Sequence, residues 1–295
     1  VRATVPAALI IATACGSAGA AGPGCLPAGG PFPFPQELSE SSGAAWSVRH
    51  PGVIWTTGDG RVRTLFAVDT LGTVVAELPI QLPGVWDIED LSVAPCEGGS
   101  CIYFADVGDN GLSRDTLLIH RMAEPALDES GPLLAEPLRV RLPDGPDDIE
   151  AMFIGPDGLI RLVSKGNGRP PALYRVPSDV GPDATREAAL VQRLDSTSRY
   201  LGRQITGGSA VPGTKLVLLR TYEDLSVWTL VGERLEPVEG GALPLRTLRE
   251  PQGEAIAAGL GGRVALTSEA GPLGNLGGMH LLRCTGLGNR PDPLS

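Results

Sequence analysis

Three glutamates, Glu89, Glu150 and Glu254, hold the same place in three similar stretches of this chain. The stretches read GluAspLeuSerValAlaPro, GluAlaMetPheIleGlyProAspGly and GluAlaIleAlaAlaGlyLeuGlyGly. A fourth, ThrGlyGlySerAlaValProGly, puts Thr206 in the glutamate position. In each, an apolar run and a tight turn lead to a second apolar run. The second runs end on Asp106, Lys165, Arg220 and Glu269. If each pair of runs is an antiparallel hairpin, the start of the first and the end of the second meet at one end. All eight residues then share one face. Carboxylate oxygens converging there suit a hard cation such as calcium, with Glu89, Asp106, Glu150 and Glu254 as ligands. Lys165 and Arg220 could grip an anionic group. Trp86, Asp109, Asn110, Tyr222 and Glu269 complete the candidate ligand-binding set.

A structural reading of the same residues stays open. A carboxylate at a strand start can accept backbone N–H groups of the entering loop. The glutamates could also form a network with Lys165 and Arg220. AspValGlyAspAsn, from Asp106 to Asn110, favours a plain turn, because Asp, Asn and Gly all suit one. No metalloprotease HExxH, phosphate-binding loop or nucleophile elbow is present. GlyGlySerAlaVal at Gly207 does not fit GxSxG. The three histidines, His50, His120 and His280, give no triad, and His120 and His280 fall in third strands, away from the centre of the mouth. Catalytic residues, and whether the chain is an enzyme at all, stay open.

These residues need a scaffold, and the repeat supplies one. A third apolar run follows each hairpin: ThrLeuPheAlaVal, ThrLeuLeuIleHisArg, AlaLeuTyrArgVal, LeuSerValTrpThrLeu and MetHisLeuLeuArg. A more polar fourth run follows at residues 74–79, 138–142, 189–194 and 243–248. A weaker fifth copy begins at AlaTrpSerValArgHisProGly and ends at Thr57. Forty glycines and 27 prolines leave little room for long helices. The one helix candidate, residues 183–194, reads equally well as loop and strand. Four-stranded meanders repeated at about fifty residues imply an all-β propeller. Five blades are expected, with six as the alternative because two spacings are long. The last copy lacks an outer strand, which residues 32–38 could supply from the N-terminal side.

The N-terminus reads as an export signal over residues 1–15. Val1 is read as an alternative start, followed by Arg2 and a short apolar stretch. Ala12-Thr13-Ala14-Cys15-Gly16 resembles a lipobox, with Cys15 as the lipidated residue; plain secretion is the alternative. Residues 16–30 read as a Gly/Ala/Pro-rich tether, and 31–295 as one domain. Cys96–Cys101 would staple a hairpin and Cys25–Cys284 would tie the ends together, as an oxidising compartment allows. A net charge of −10 argues against nucleic acid. The expected partners are a small molecule, a glycan or an envelope protein, bound by a monomer. Membrane contact is expected only through the lipid.

TrpAspIleGluAspLeu, AspValGlyAspAsn with Arg114, AspAspIleGluAlaMet, ArgThrTyr and GluProGlnGlyGluAlaIle resemble a group of exported bacterial β-propeller proteins. The likeness spans roughly Ala44 to Cys284. It is also distantly similar to phytase-like and esterase-like propellers. That resemblance implies calcium-dependent phosphate-ester hydrolysis at an acidic central mouth. No catalytic residue of that family matches one by one here, so none is carried over. The primary expectation is therefore an envelope binding protein, with the hydrolase as the alternative.

Overall fold

A computed structural model describes residues 22–58, 63–178, 184–194, 203–271 and 275–288. Cys15 and the expected export signal lie outside them. Strand β1 is Gly24–Pro33. A first meander follows: β2 (Gly43–Trp46), β3 (Val53–Thr57), β4 (Thr64–Asp69) and β5 (Val74–Gln81). The second holds β6 (Ile88–Cys96), β7 (Gly99–Asp106), β8 (Leu117–Ala123), a short β9 (Leu133–Leu134) and β10 (Glu136–Arg141). The third holds β11 (Ile149–Ile154), β12 (Ile160–Ser164), β13 (Ala172–Arg175), a short β14 (Arg186–Glu187) and β15 (Ala189–Arg193). The fourth holds β16 (Ile205–Ala210), β17 (Leu216–Thr221), β18 (Asp224–Val231) and β19 (Arg234–Pro244). The fifth holds β20 (Gln252–Ala258), β21 (Arg263–Glu269) and β22 (Gly278–Thr285).

The strands form five sheets, the last ordered β20-β21-β22-β1. This is a five-bladed β-propeller. Five apolar cores, one between each pair of neighbouring blades, close the ring. Blades 1 and 2 meet through Trp55, Leu65, Ile88, Ile102 and Phe104. Blades 5 and 1 meet through Ala255, Ala265, Met279, Ile54 and Val68. The Leu, Ile, Val, Phe and Met side chains among them contribute about 1.5–3 kcal/mol each when fully buried. The long spacings that allowed a sixth blade are taken up by β9 and β14. β9 pairs in parallel with β5, and β14 with β10, so each sews its own blade to the outer strand of the one before.

The ring closes through β1, which pairs antiparallel with β22. The closing strand is thus 24–33, not 32–38, and Gln36–Leu38 forms a 3-10 turn instead. The expected tether cannot extend to Gly30, since β1 begins at Gly24. An edge strand uses one side of its backbone for pairing, so Pro27, Pro31 and Pro33 are tolerated there. That is why its composition resembles a linker. Cys25 sits opposite Cys284 and is bonded to it, and Cys96 is bonded to Cys101 across the β6–β7 turn. Within residues 184–194, the stretch open to loop or strand contains β14 and β15.

Candidate functional site

Four inner strands carry the same irregularity. Ile88 faces Asp106 and Asp90 faces Ala105, so Glu89 between them has no partner across the ladder. Ile149 faces Ser164 and Ala151 faces Val163, leaving out Glu150. Thr206 is left out between Ile205 and Gly207. On β20 the shift takes in Glu254 and Ala255. A β-bulge bends the strand and re-aims the extra residue. The repeated glutamate position is thus a bulge position. Only blade 1 lacks it, its inner strand pairing in unbroken register.

The bulges bring Glu89, Glu150 and Glu254 from three blades to one mouth. Lys165, just after β12, donates to Glu150 Oε1 at 2.5 Å and lies 3.8 Å from Asp148 Oδ2. Gln252 donates to Glu254 at 2.8 Å and to Glu269 at 3.0 Å. Ser42 reaches Glu269 at 3.2 Å from blade 1. Tyr222 lies against Glu254. The electrostatics are costly. Burial, then the charges of Glu150 and Asp87, hold the Glu89 carboxyl well above its ordinary range. Burial pushes Glu150 up to about 8, against the pull of Lys165. Burial also raises Glu254, opposed by Gln252. Burial works against the Lys165 charge, but Glu150 and Asp148 outweigh it and raise its pKa. Burial and then Glu254 raise Tyr222.

Other expected site residues sit on the same face but serve the scaffold. Asp106 accepts the backbone N–H groups of Trp86 (3.1 Å) and Asp87 (2.8 Å) and the Arg114 guanidinium (3.1 Å). The buried His120 Nε2 stands 3.4 Å from it. Asp109 accepts from Ser113 N and Arg114 N. AspValGlyAspAsn runs into a turn in which Leu112 N donates to the Asp109 carbonyl, and Asn110 is exposed there. Arg220 is fully buried; it forks onto Glu250 and donates to the carbonyls of Ala255 and Thr267. Its donors are spent inside the protein, so it does not grip an anion. Thr206 donates to the Gly253 carbonyl. Trp86 is 73% exposed at the rim.

The proposed calcium ligands are not gathered around one point. Asp106 faces its own loop, and Glu150 Oε1 already accepts from the Lys165 ammonium. Among the described residues, no group of three or more His, Cys, Asp or Glu side chains is placed to hold a metal ion. The donor set does not fit calcium as it stands.

Two features escaped the sequence. Gly108 has no side chain because Glu89 Oε1 and Asp87 Oδ2 crowd it; a Cβ there would stand 2.3 and 2.5 Å from them. Its place in a Gly-containing turn hid that contact. Glu250, the partner of Arg220, lies 30 residues away with no local signal.

No protein-family model matches the chain, and no curated protein does. Solved structures do. The PQQ-bound aldose sugar dehydrogenase of Streptomyces coelicolor superposes with a TM-score of 0.54 at 12% identity, covering 90% of this chain and 99% of that one. A streptogramin B lyase gives 0.46 at 12% identity, over 90% and 98%. Virginiamycin B lyase of Staphylococcus aureus gives 0.43 at 12% identity, over 87% of each chain. The dehydrogenase likeness confirms the propeller. At 12% identity it carries the fold alone.

Proposed function

We propose that this protein is an exported propeller that binds a small molecule or glycan at its acidic mouth. The contrast between Glu89 and its neighbours carries the reading. Asp90, fully buried, accepts three backbone N–H groups, and Asp106 is equally well supplied. Those are structural carboxylates. Glu89 accepts no hydrogen bond among the described residues and instead faces Glu150, Asp87 and Glu254. Glu89 is half-buried, and holding a carboxylate among like charges with little water around it is costly even with Lys165 opposing them. Such groups concentrate where a ligand or reaction uses them.

Two disulfides fit an oxidising, exported setting. No helix among the described residues is long and apolar enough to cross a membrane. Anchoring through Cys15 and a monomeric state complete the proposal. The hydrolase alternative is weaker, because Lys165 and Arg220 are both engaged by carboxylates.

A thermal-shift screen of small molecules and glycans tests the reading. Stabilising compounds should lose their effect in Glu89→Gln. Compounds that stabilise wild type and variant alike would remove the mouth from the account. The same melt with calcium, then with chelator, should show no shift, and elemental analysis no stoichiometric calcium. A calcium-dependent rise would restore the hydrolase reading.

A further inference from the structure

The mouth is short of positive charge. Lys165 is held by Glu150, and Arg220 is consumed by Glu250 below the surface. Facing Glu89 are Asp87 ahead of β6, Glu150 on β11, Glu254 on β20 and Lys165 after β12. Asp148 ahead of β11, Tyr222 after β17 and Glu269 at the end of β21 complete the charged surroundings. Among the described residues, the carboxyl groups therefore outnumber Lys165 and Arg220, the cations whose charges act on Glu254.

A second observation points to a missing donor. Asp148 is only 4% exposed, yet its Oδ2 accepts no hydrogen bond among the described residues. Lys165 Nζ, at 3.8 Å, is beyond hydrogen-bond reach of it. Buried acceptors are nearly always satisfied, and exceptions call for an unplaced partner. A large aromatic side chain also stands at the rim. The backbone N–H of Trp86 is pinned by Asp106, while the indole is largely exposed. Aromatic faces attract organic cations.

We propose that the ligand is an organic cation, an amine or ammonium group seated among Glu89, Asp148, Glu150 and Glu254 with its carbon frame on Trp86. The inference rests on the mouth-binding reading and narrows its ligand class. An ammonium supplies the donors that Asp148 and Glu89 lack, as Lys165 already does for Glu150. A metal ion would gain nothing from Trp86. Because Glu89, Glu150 and Glu254 hold protons more tightly than free carboxyls, seating a cation among them displaces protons to solvent.

The experiment uses the purified protein and three matched sets of probes. Benzylamine and glucosamine are the cations. Benzyl alcohol and glucose are neutral counterparts, and benzoate and gluconate are anionic ones. Calorimetry in two buffers of different ionisation enthalpy reads proton release directly. At least one cation should bind about ten-fold or more tighter than its counterparts. Its affinity should rise as pH rises from 6 towards the Glu150 value of about 8, because carboxyl protons must leave. Trp86→Ala should weaken binding, and Glu89→Gln should reduce the proton release while the domain stays folded. Neutral or anionic probes that bind as well, and are lost in Glu89→Gln, would overturn the cation assignment and leave the mouth reading standing. Binding by none of the three sets would overturn both.

Discussion

Residues of one chemical type do opposite work in this ring, and their hydrogen bonds separate them. Asp106 and Glu89 are both acidic and close in sequence. Asp106 ties the entering loop of blade 2 to Arg114, whereas Glu89 ties nothing. Asp106→Ala should therefore lower stability by about 3 kcal/mol, since it strands several buried donors; chemical denaturation measures it. Arg220→Ala should cost about 3–5 kcal/mol, because Glu250 is then buried without its partner. Gly108→Ala should leave the fold intact but push aside the Glu89 and Asp87 carboxylates. Ligand affinity should fall while the melting temperature changes little. The sequence showed that these residues share a face, because hairpin geometry alone requires it. It did not show which were satisfied. Arg220 reads as a free cation until Glu250 is seen against it. The hydrogen-bond partners of Asp106 are backbone groups, which leave no mark in residue type.

Strands and turns explain how the face is built. The apolar runs and their Gly- and Pro-rich turns made the hairpins legible, and the repeat made the blades legible. The bulges were not, since a glutamate at a strand start looks the same in regular pairing. The parallel pairs made by β9 and β14 were also hidden, as two residues carry no period. Inner strands approach so closely that glycine is required where backbones meet. A Cβ on Gly43 would stand 2.7 Å from the Asp90 and Leu91 backbone, and one on Gly207 2.7 Å from the Glu254 carbonyl. Gly207→Ala should thus cost about 1–3 kcal/mol and shift the Glu254 bulge. β1 shows the reverse case, a strand disguised by prolines. The Cys25–Cys284 bond closes a separation of 259 residues. A bridge of that span can contribute about 5 kcal/mol by the chain-entropy account. Cys25→Ser with Cys284→Ser should lower the melting temperature by several degrees, and proteolysis should then release β1 first.

The whole molecule sets stability against an acidic mouth. Five inter-blade cores and a bonded closing strand hold the ring, while Glu89, Glu150 and Glu254 oppose it. Their carboxyls all have raised pKa values, with Glu150 near 8. Between about pH 5 and 8 the folded state then holds more protons than the unfolded chain. Stability should fall as pH rises through that window. A mouth kept for binding is one that the fold would be more stable without. The most direct measurement is therefore the melting temperature of Glu89→Gln beside wild type, at pH 5 and pH 8, without ligand. The neutral amide should melt several degrees higher at pH 8 and close to wild type at pH 5. A variant that melts lower than wild type at both values would make Glu89 a structural residue, and the mouth would no longer be a binding site.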